Sequence, residues 1–137
     1  MVGNEAVLFA NDAFYQAFHD RDVDAMEEIW AEKTQPTCIH PGWQPLFGRQ
    51  TVMKSWLAIL ANPGSPKIRC HNARATRIGS LAYVICYEEI DGQFLIATNI
   101  FTEEETDQGR TWRLLHHQSG PTADAPEPEE TGPPVMN

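Results

Sequence analysis

The sequence predicts an α+β domain in which three N-terminal helices pack on a curved, mostly antiparallel mixed sheet. Three observations predict it. Before Asn62, apolar residues recur at three- and four-residue spacing in three segments; after Pro66 they alternate in four. Short turns separate the four alternating segments, the pattern of an antiparallel meander. One brief apolar stretch, Thr37 to His40, interrupts the helical part and reads as a strand.

The first helix is expected from Asn4 to Asp20. Val7, Ala10, Ala13, Phe14, Ala17 and Phe18 share one face, and Asn4 is placed to cap it. Arg21-Asp22 breaks the helix, and Asp22 can cap a second one from Val23 to about Ala31, with Met26, Ile29 and Trp30 as its buried stripe. Glu27, Glu28 and Glu32 form its solvated face. Pro36 closes the helical region. In the strand that follows, Cys38 and His40 share a face because side chains alternate. Pro41-Gly42 turns the chain, and Pro45 is expected to keep the next residues out of regular strand. A third helix spans about Arg49 to Ala61, and Asn62-Pro-Gly-Ser-Pro66 stops it. The alternating segments run from Lys67 to Ile78, Leu81 to Ile90, Gln93 to Thr102 and Thr111 to Ser119. Asp91-Gly92 is a hairpin turn, and Glu103 to Gly109 is expected to be a charged loop.

With 137 residues the chain fits one core, expected over residues 1–120. From 121 to 137 five of the ten prolines mix with acids and apolar periodicity is lost, as in a flexible acidic tail. Net charge is −9; four of the nineteen acids lie in that tail, so the body carries fifteen against ten bases. That balance argues against nucleic-acid binding, which needs basic surface. No apolar run reaches the ~20 residues of a membrane span, and the N-terminus lacks the basic flank of a signal peptide. Three cysteines without a C-x-x-C point to free thiols and a cytoplasmic setting. The strand Phe94–Phe101 is apolar on both faces. Its outer face needs a cover, and a second copy of the chain is the simplest, so a homodimer through the sheet is expected.

The order of elements resembles the cone-shaped α+β fold of the nuclear transport factor 2-like superfamily, and more closely its SnoaL-like, ketosteroid-isomerase-like branch. The resemblance rests on Phe18-His-Asp-Arg-Asp-Val-Asp-Ala-Met26, Ile39-His-Pro-Gly-Trp43, Val84-Ile-Cys-Tyr-Glu88, Ala97-Thr-Asn-Ile-Phe101 and Trp112-Arg-Leu-Leu-His-His117, and covers residues 4 to 120. It implies a general base before a proline at the end of the first strand, where His40 stands. It implies an oxyanion-binding acid two residues before an aromatic on the third meander strand, where Asn99 precedes Phe101. It implies a tyrosine on the first helix, where counting back from Asp22 gives Phe14, with Tyr15 about 100° round the helix. None of the family residues is kept, which argues against steroid isomerisation and leaves room for a polar pocket in the same place.

An imidazole at position 40 could move a proton near neutral pH; alternatively it closes the strand end. Asn99 could donate to an oxyanion, or fix the sheet as a buried amide. Glu88 shares a face with Cys86 and Val84, where burial raises a carboxyl pKa; the plainer reading pairs it with Arg69, Arg74, Arg77 or Arg113. His116 and His117 point to opposite faces, and strand register decides which one enters the interior. In regular alternation His116 goes with Trp112 and Leu114, and His117 with Leu115. Phe14, Tyr15, Trp43, Trp56 and Phe101 are candidate lining residues, with core packing as the alternative. Cys38 and His40 lack the further ligands of a metal site, and no cofactor motif is present. Two functions compete. One is a cofactor-free isomerase, dehydratase or cyclase acting through His40 on a small, mostly apolar carbonyl compound. The other is a non-catalytic ligand-binding or dimeric assembly module. The interior discriminates: an open pocket at His40 and Asn99 favours the first, and a cone filled by Phe14, Trp43 and Phe101 favours the second.

Overall fold

A computed structural model describes residues 2–128, with side chains from Asn4 onward. Helix α1 spans Val2–Asp20, so Asn4 lies inside the helix and does not cap it. Its inward stripe holds Val7, Asn11, Phe14 and Tyr15, spaced to face one side, and all four are buried. Helix α2 is short, Val23–Ile29, and Asp22 caps it as expected by accepting from the Ala25 amide at 3.1 Å. It ends before Ala31 because Trp30 leaves the helix and bridges to Leu114 in parallel. Arg49 fixes that exit by donating to the carbonyls of Glu27 at 2.7 Å and Trp30 at 2.7 Å.

Strand β1 is Thr37–Ile39, with His40 one residue beyond it. Contrary to the expectation at Pro45, a two-residue strand β2, Leu46–Phe47, pairs antiparallel with β1. Proline lacks only an amide donor, and it sits just outside this edge strand. Helix α3 is Arg49–Ala61, as expected. Gly48 precedes it at φ 90°, and a side chain there would press on Gln35 Oε1 at 3.3 Å.

The meander strands are β3 (Ile68–Ile78), β4 (Leu81–Ile90), β5 (Gln93–Thr106) and β6 (Gly109–Pro121). The six strands order as β2-β1-β6-β5-β4-β3, antiparallel throughout except where β1 runs parallel to β6. This is the expected α+β cone with a mixed sheet. The expected loop from Glu103 to Gly109 is instead the end of one hairpin, with Glu103↔Trp112 and Glu105↔Arg110 paired. Cross-strand and diagonal charges make those acids compatible with strand: Arg110 meets Glu103 at 3.6 Å and Glu105 at 3.6 Å. Glu104, buried on the inner face, accepts the Glu32 and Lys33 amides at 3.1 and 3.0 Å.

Two bulges break the alternation. In β6, Ile100 pairs with His116 but Phe101 with Leu114, so Leu115 is the extra residue. The bulge puts Leu114 and His117 on the same inner face, which corrects the grouping of His116 with Leu114. In β3, Asn72 and Ala73 lie between the pairs His71↔Tyr87 and Arg74↔Ile85, and Asn72 has φ 56°. Beyond β6 the chain passes back along β3, where the Asn72 amide donates to the Glu127 carbonyl at 2.9 Å. The rest of the expected acidic tail, 129–137, lies outside the described residues.

Candidate functional site

The inner faces of β4, β5 and β6 turn Glu88, Asn99 and His117 toward α1, which supplies Asn11 and Tyr15. These side chains join into one buried network. His117 Nδ1 lies 2.6 Å from Asn99 Oδ1. An amide oxygen only accepts, so the ring carries its proton on Nδ1 and leaves a lone pair on Nε2. The Asn99 amide donates to Asn11 Oδ1 at 2.9 Å and to the Tyr15 hydroxyl at 3.1 Å. Tyr15 donates to Glu88 Oε2 at 2.6 Å. Glu88 Oε2 in turn sits 3.8 Å from His117 Nε2, which closes a ring of four residues.

Burial sets the charge state of this ring. It pushes Glu88 upward, against the hydrogen bond from Tyr15, and pushes Tyr15 well above the ordinary phenol value, helped by the nearby Glu88 charge. It pulls His117 down to about 3, with His40 and His116 adding to the effect. The histidine is therefore neutral at pH 7. Among the described residues no arginine pairs with Glu88: Tyr15 takes that place, and Arg113 faces Glu104 at 3.4 Å.

His40 lies on the other side of Trp56. Its ring centroid is 4.8 Å from Trp56 and 4.7 Å from Trp43, both edge-on. The Ser55 hydroxyl spends its proton on the Val52 carbonyl at 2.7 Å, so it accepts from His40 Nε2 at 2.9 Å. That leaves His40 Nδ1 as the free basic nitrogen. Burial lowers His40 to about 4. The Cys38 sulfur is 3.8 Å away, its thiol pushed up to about 12 by burial. His116 faces away from the ring and meets the Thr37 hydroxyl at 2.6 Å through Nδ1.

The candidate residues thus divide. Tyr15, Glu88, Asn99 and His117 come together directly. His40 is linked to them through Trp56, and His116 belongs elsewhere. Phe14 occupies the helix position assigned to the phenol but packs 5.0 Å from the His117 ring and 5.4 Å from Trp56. Tyr15 supplies the hydroxyl, because the inward stripe of α1 is wide enough to take two successive residues. Phe14, Trp30, Trp56 and Phe101 are fully buried in the interior. Trp43, expected to wall the interior, is 49% exposed on its turn. The indole N–H groups of Trp30 and Trp56 are buried without a partner among the described residues.

Sequence reading missed Asn11 and Ser55. Asn11 lies three and four residues before Phe14 and Tyr15, and Ser55 lies beside Trp56 on the inward face of α3. A polar residue at an apolar-stripe position was the available signal. Among the described residues no three His, Cys, Asp or Glu side chains converge as a metal site, and no helix is long and apolar enough to cross a membrane. Among the described residues, grooves open at the surface around this network. One of about 480 Å³ runs between α1, α2 and the start of β6, lined by Phe9, Ala10, Ile29 and Trp112. A second of about 540 Å³ lies between α1 and β3, lined by Asp12, Tyr15, Arg69 and Cys70. A third of about 470 Å³ lies among Glu32, Arg110 and Arg113. None of the three is lined by His40 or Asn99.

Comparison with known proteins agrees with this architecture. The chain is 28% identical over 116 residues to the F-box protein SKIP8 of Arabidopsis thaliana, covering 83% of this chain and 48% of that protein. It therefore spans about half the length of that relative. A Streptomyces avermitilis structure provisionally described as a dehydratase of the NTF2-like family superposes with TM-score 0.75 at 30% identity, covering 88% of this chain and 96% of the other. A Thiobacillus denitrificans structure, provisionally described as a calcium/calmodulin-dependent protein kinase type II association domain, superposes with TM-score 0.72. It is also 30% identical and covers 83% and 93% of the two chains. The SnoaL-like domain model matches residues 7–124, so the chain belongs to the SnoaL-like family within the NTF2-like fold.

Proposed function

We propose that this chain is a non-catalytic SnoaL-like module that associates with a second copy through the outer face of its sheet. The observation that carries this reading is an apolar strip on that face. Ile78 is 65% exposed, Leu81 43%, Tyr83 37% and Ile85 38%. Leu81 pairs with Ile78, and Tyr83 with Ile100, so the strip is continuous across β3, β4 and β5. Water contact with so much adjoining apolar surface is unfavourable, and a self-complementary cover removes it. The interior is lined by large buried aromatic side chains, Phe14, Trp30, Trp56 and Phe101, which supports a packed core there. Similarity to an association domain supports the same reading. Sedimentation equilibrium tests it: the wild type is expected to be dimeric at micromolar concentration, and Tyr83→Glu/Ile85→Glu monomeric with an unchanged far-UV spectrum. A monomeric wild type overturns it.

A second reading keeps the interior as a site for a small, mostly apolar carbonyl compound. The observation favouring it is the buried donor set: the Trp30 N–H without a partner, and a tyrosine–glutamate pair that burial biases toward its protonated state. In that reading a ligand would displace Trp56 and take the Asn99 and Tyr15 donors from Asn11 and Glu88, bringing its oxygen to them and its proton to His40 Nδ1. Saturable stabilisation by small cyclic ketones in a thermal-shift screen, lost in Asn99→Leu, supports it. If turnover accompanies binding, retained activity in His40→Ala removes His40 from the chemistry.

A further inference from the structure

One strand of the sheet carries a charge pattern that neither reading uses. Between Lys67 and Ile78 stand Lys67, Arg69, Arg74 and Arg77, four of the ten bases, and no acid. In a chain of net charge −9 that run stands apart. Its strand, β3, is the last of the sheet, so one side of its backbone has no neighbouring strand. Arg77 reaches Glu103 at 3.7 Å, and His71 reaches Glu89 at 2.8 Å. Arg69 and Arg74 are exposed and stand in no ion pair among the described residues.

The same chain brings the opposite charge to this edge. After Pro121 it carries Asp124, Glu127, Glu129 and Glu130 and no base. It crosses to β3, where the Glu127 carbonyl accepts from the Asn72 side chain at 2.9 Å. That bond fixes the segment at the β3 bulge, beside the groove of about 540 Å³ between α1 and β3. Arg69 and His71 line the β3 side of the groove; Asp12 and His19 line the α1 side. His19 already faces Asp20 at 3.3 Å, so the basic wall is the one that β3 provides. We propose that residues 129–137 dock over this groove, with Glu129 and Glu130 against the Lys67–His71 half of β3, and cover the opening beside Tyr15.

Length and composition fit this placement. Asn72 to Lys67 is about 17 Å of strand at ~3.3 Å per residue, and the residues from Glu129 to Asn137 can reach about 30 Å when extended. Pro128, Pro133 and Pro134 have no amide donor, so the segment cannot extend the sheet as a regular strand. It lies against the edge through carboxylates and carbonyls, as Glu127 already does. That contact shields the β3 edge from pairing with a strand of another molecule. The exposed apolar strip begins at Ile78, the other end of β3, so the docked segment and a second copy take different surfaces. Tyr15 lines the groove and donates to Glu88, so the docked segment controls what reaches the buried ring from this side.

Two measurements on the full chain test it. A zero-length carbodiimide joins a carboxylate only to an amine in contact with it, and the lysines are Lys33, Lys54 and Lys67. Peptide mapping is expected to show Lys67 joined to Glu129 or Glu130. A mixture of isotope-labelled and unlabelled chains should show that link within one chain. Hydrogen exchange over residues 67–72 is expected to be roughly tenfold faster in a chain ending at Pro128 than in the full chain. Glu129→Gln/Glu130→Gln, and the full chain in about 1 M sodium chloride, where the Debye length is ~3 Å, should move in the same direction. The double glutamine variant keeps the test alive if the shortened chain does not fold. Links to Lys33 or Lys54 alone, Lys67 joined only to Asp20, links only between chains, no link, or equal exchange in full chain and variants each overturn the proposal.

Discussion

At the scale of single residues, the buried ring makes each member depend on the others. Asn99 satisfies His117, Asn11 and Tyr15 at once. Asn99→Leu keeps the volume but leaves those groups without partners, and we expect a loss of about 2–3 kcal/mol in urea unfolding. The histidines set a pH dependence. Burial holds His40 and His117 at about 4 and about 3 in the folded state, below the ordinary imidazole value of about 6.5, so the unfolded chain binds their protons first. Stability should therefore fall as pH drops from about 6.5 toward 4. Glu88 has a raised pKa and works in the opposite direction, favouring the folded state where its carboxyl stays protonated and losing that contribution as pH rises through its folded value. Two histidines against one carboxyl leave a net acid loss. Urea midpoints at successive pH values should show a shallower acid limb in His40→Gln than in wild type; parallel limbs would mean that His40 does not titrate in this range.

At the scale of elements, the connection from α2 to β1 hangs on a carboxylate that its sequence neighbours disguise. Glu104 sits in an acidic run, Glu103-Glu-Glu105, that reads as a solvated loop. The strand nevertheless continues, because Arg77 and Arg110 flank Glu103 and the inward Glu104 receives two amides beside Arg113. Glu104→Ala should cost about 2–3 kcal/mol, far more than Glu105→Ala on the exposed side, because two amides would lose their acceptor and a partly buried guanidinium its counter-charge. Thermal melts of the two variants make the comparison. The Asp22 cap offers a smaller test: Asp22→Ala should cost about 1 kcal/mol.

At the scale of the whole molecule, the sheet has an inner face closed by aromatic side chains and an outer face with an apolar strip. If the strip is covered by a second copy, the melting temperature should rise with protein concentration, since mass action favours the associated folded state. The Tyr83→Glu/Ile85→Glu variant should lose that dependence. Scanning calorimetry over a hundred-fold concentration range separates the two behaviours.

The sequence by itself determined the fold class, the order of helices and meander strands, and the main punctuation. Period and turn chemistry act locally: Asp22 caps α2, and Asp91-Gly92 closes the hairpin between β4 and β5 at the expected residues. It also marked Asn99 and Glu88 as polar groups on apolar strand faces. Only the tertiary structure decided which polar groups meet. His117 is inward because the extra residue at Leu115 changes the parity of β6, and a bulge leaves no mark in a two-residue period. Tyr15 replaced Phe14 as the phenol because helix rotation is set by packing and not by counting from a neighbouring motif. His40, prominent in the sequence, is separated from the ring by Trp56 because the interior packs its aromatic residues as a wall, and that arrangement depends on α1, α3 and the sheet together.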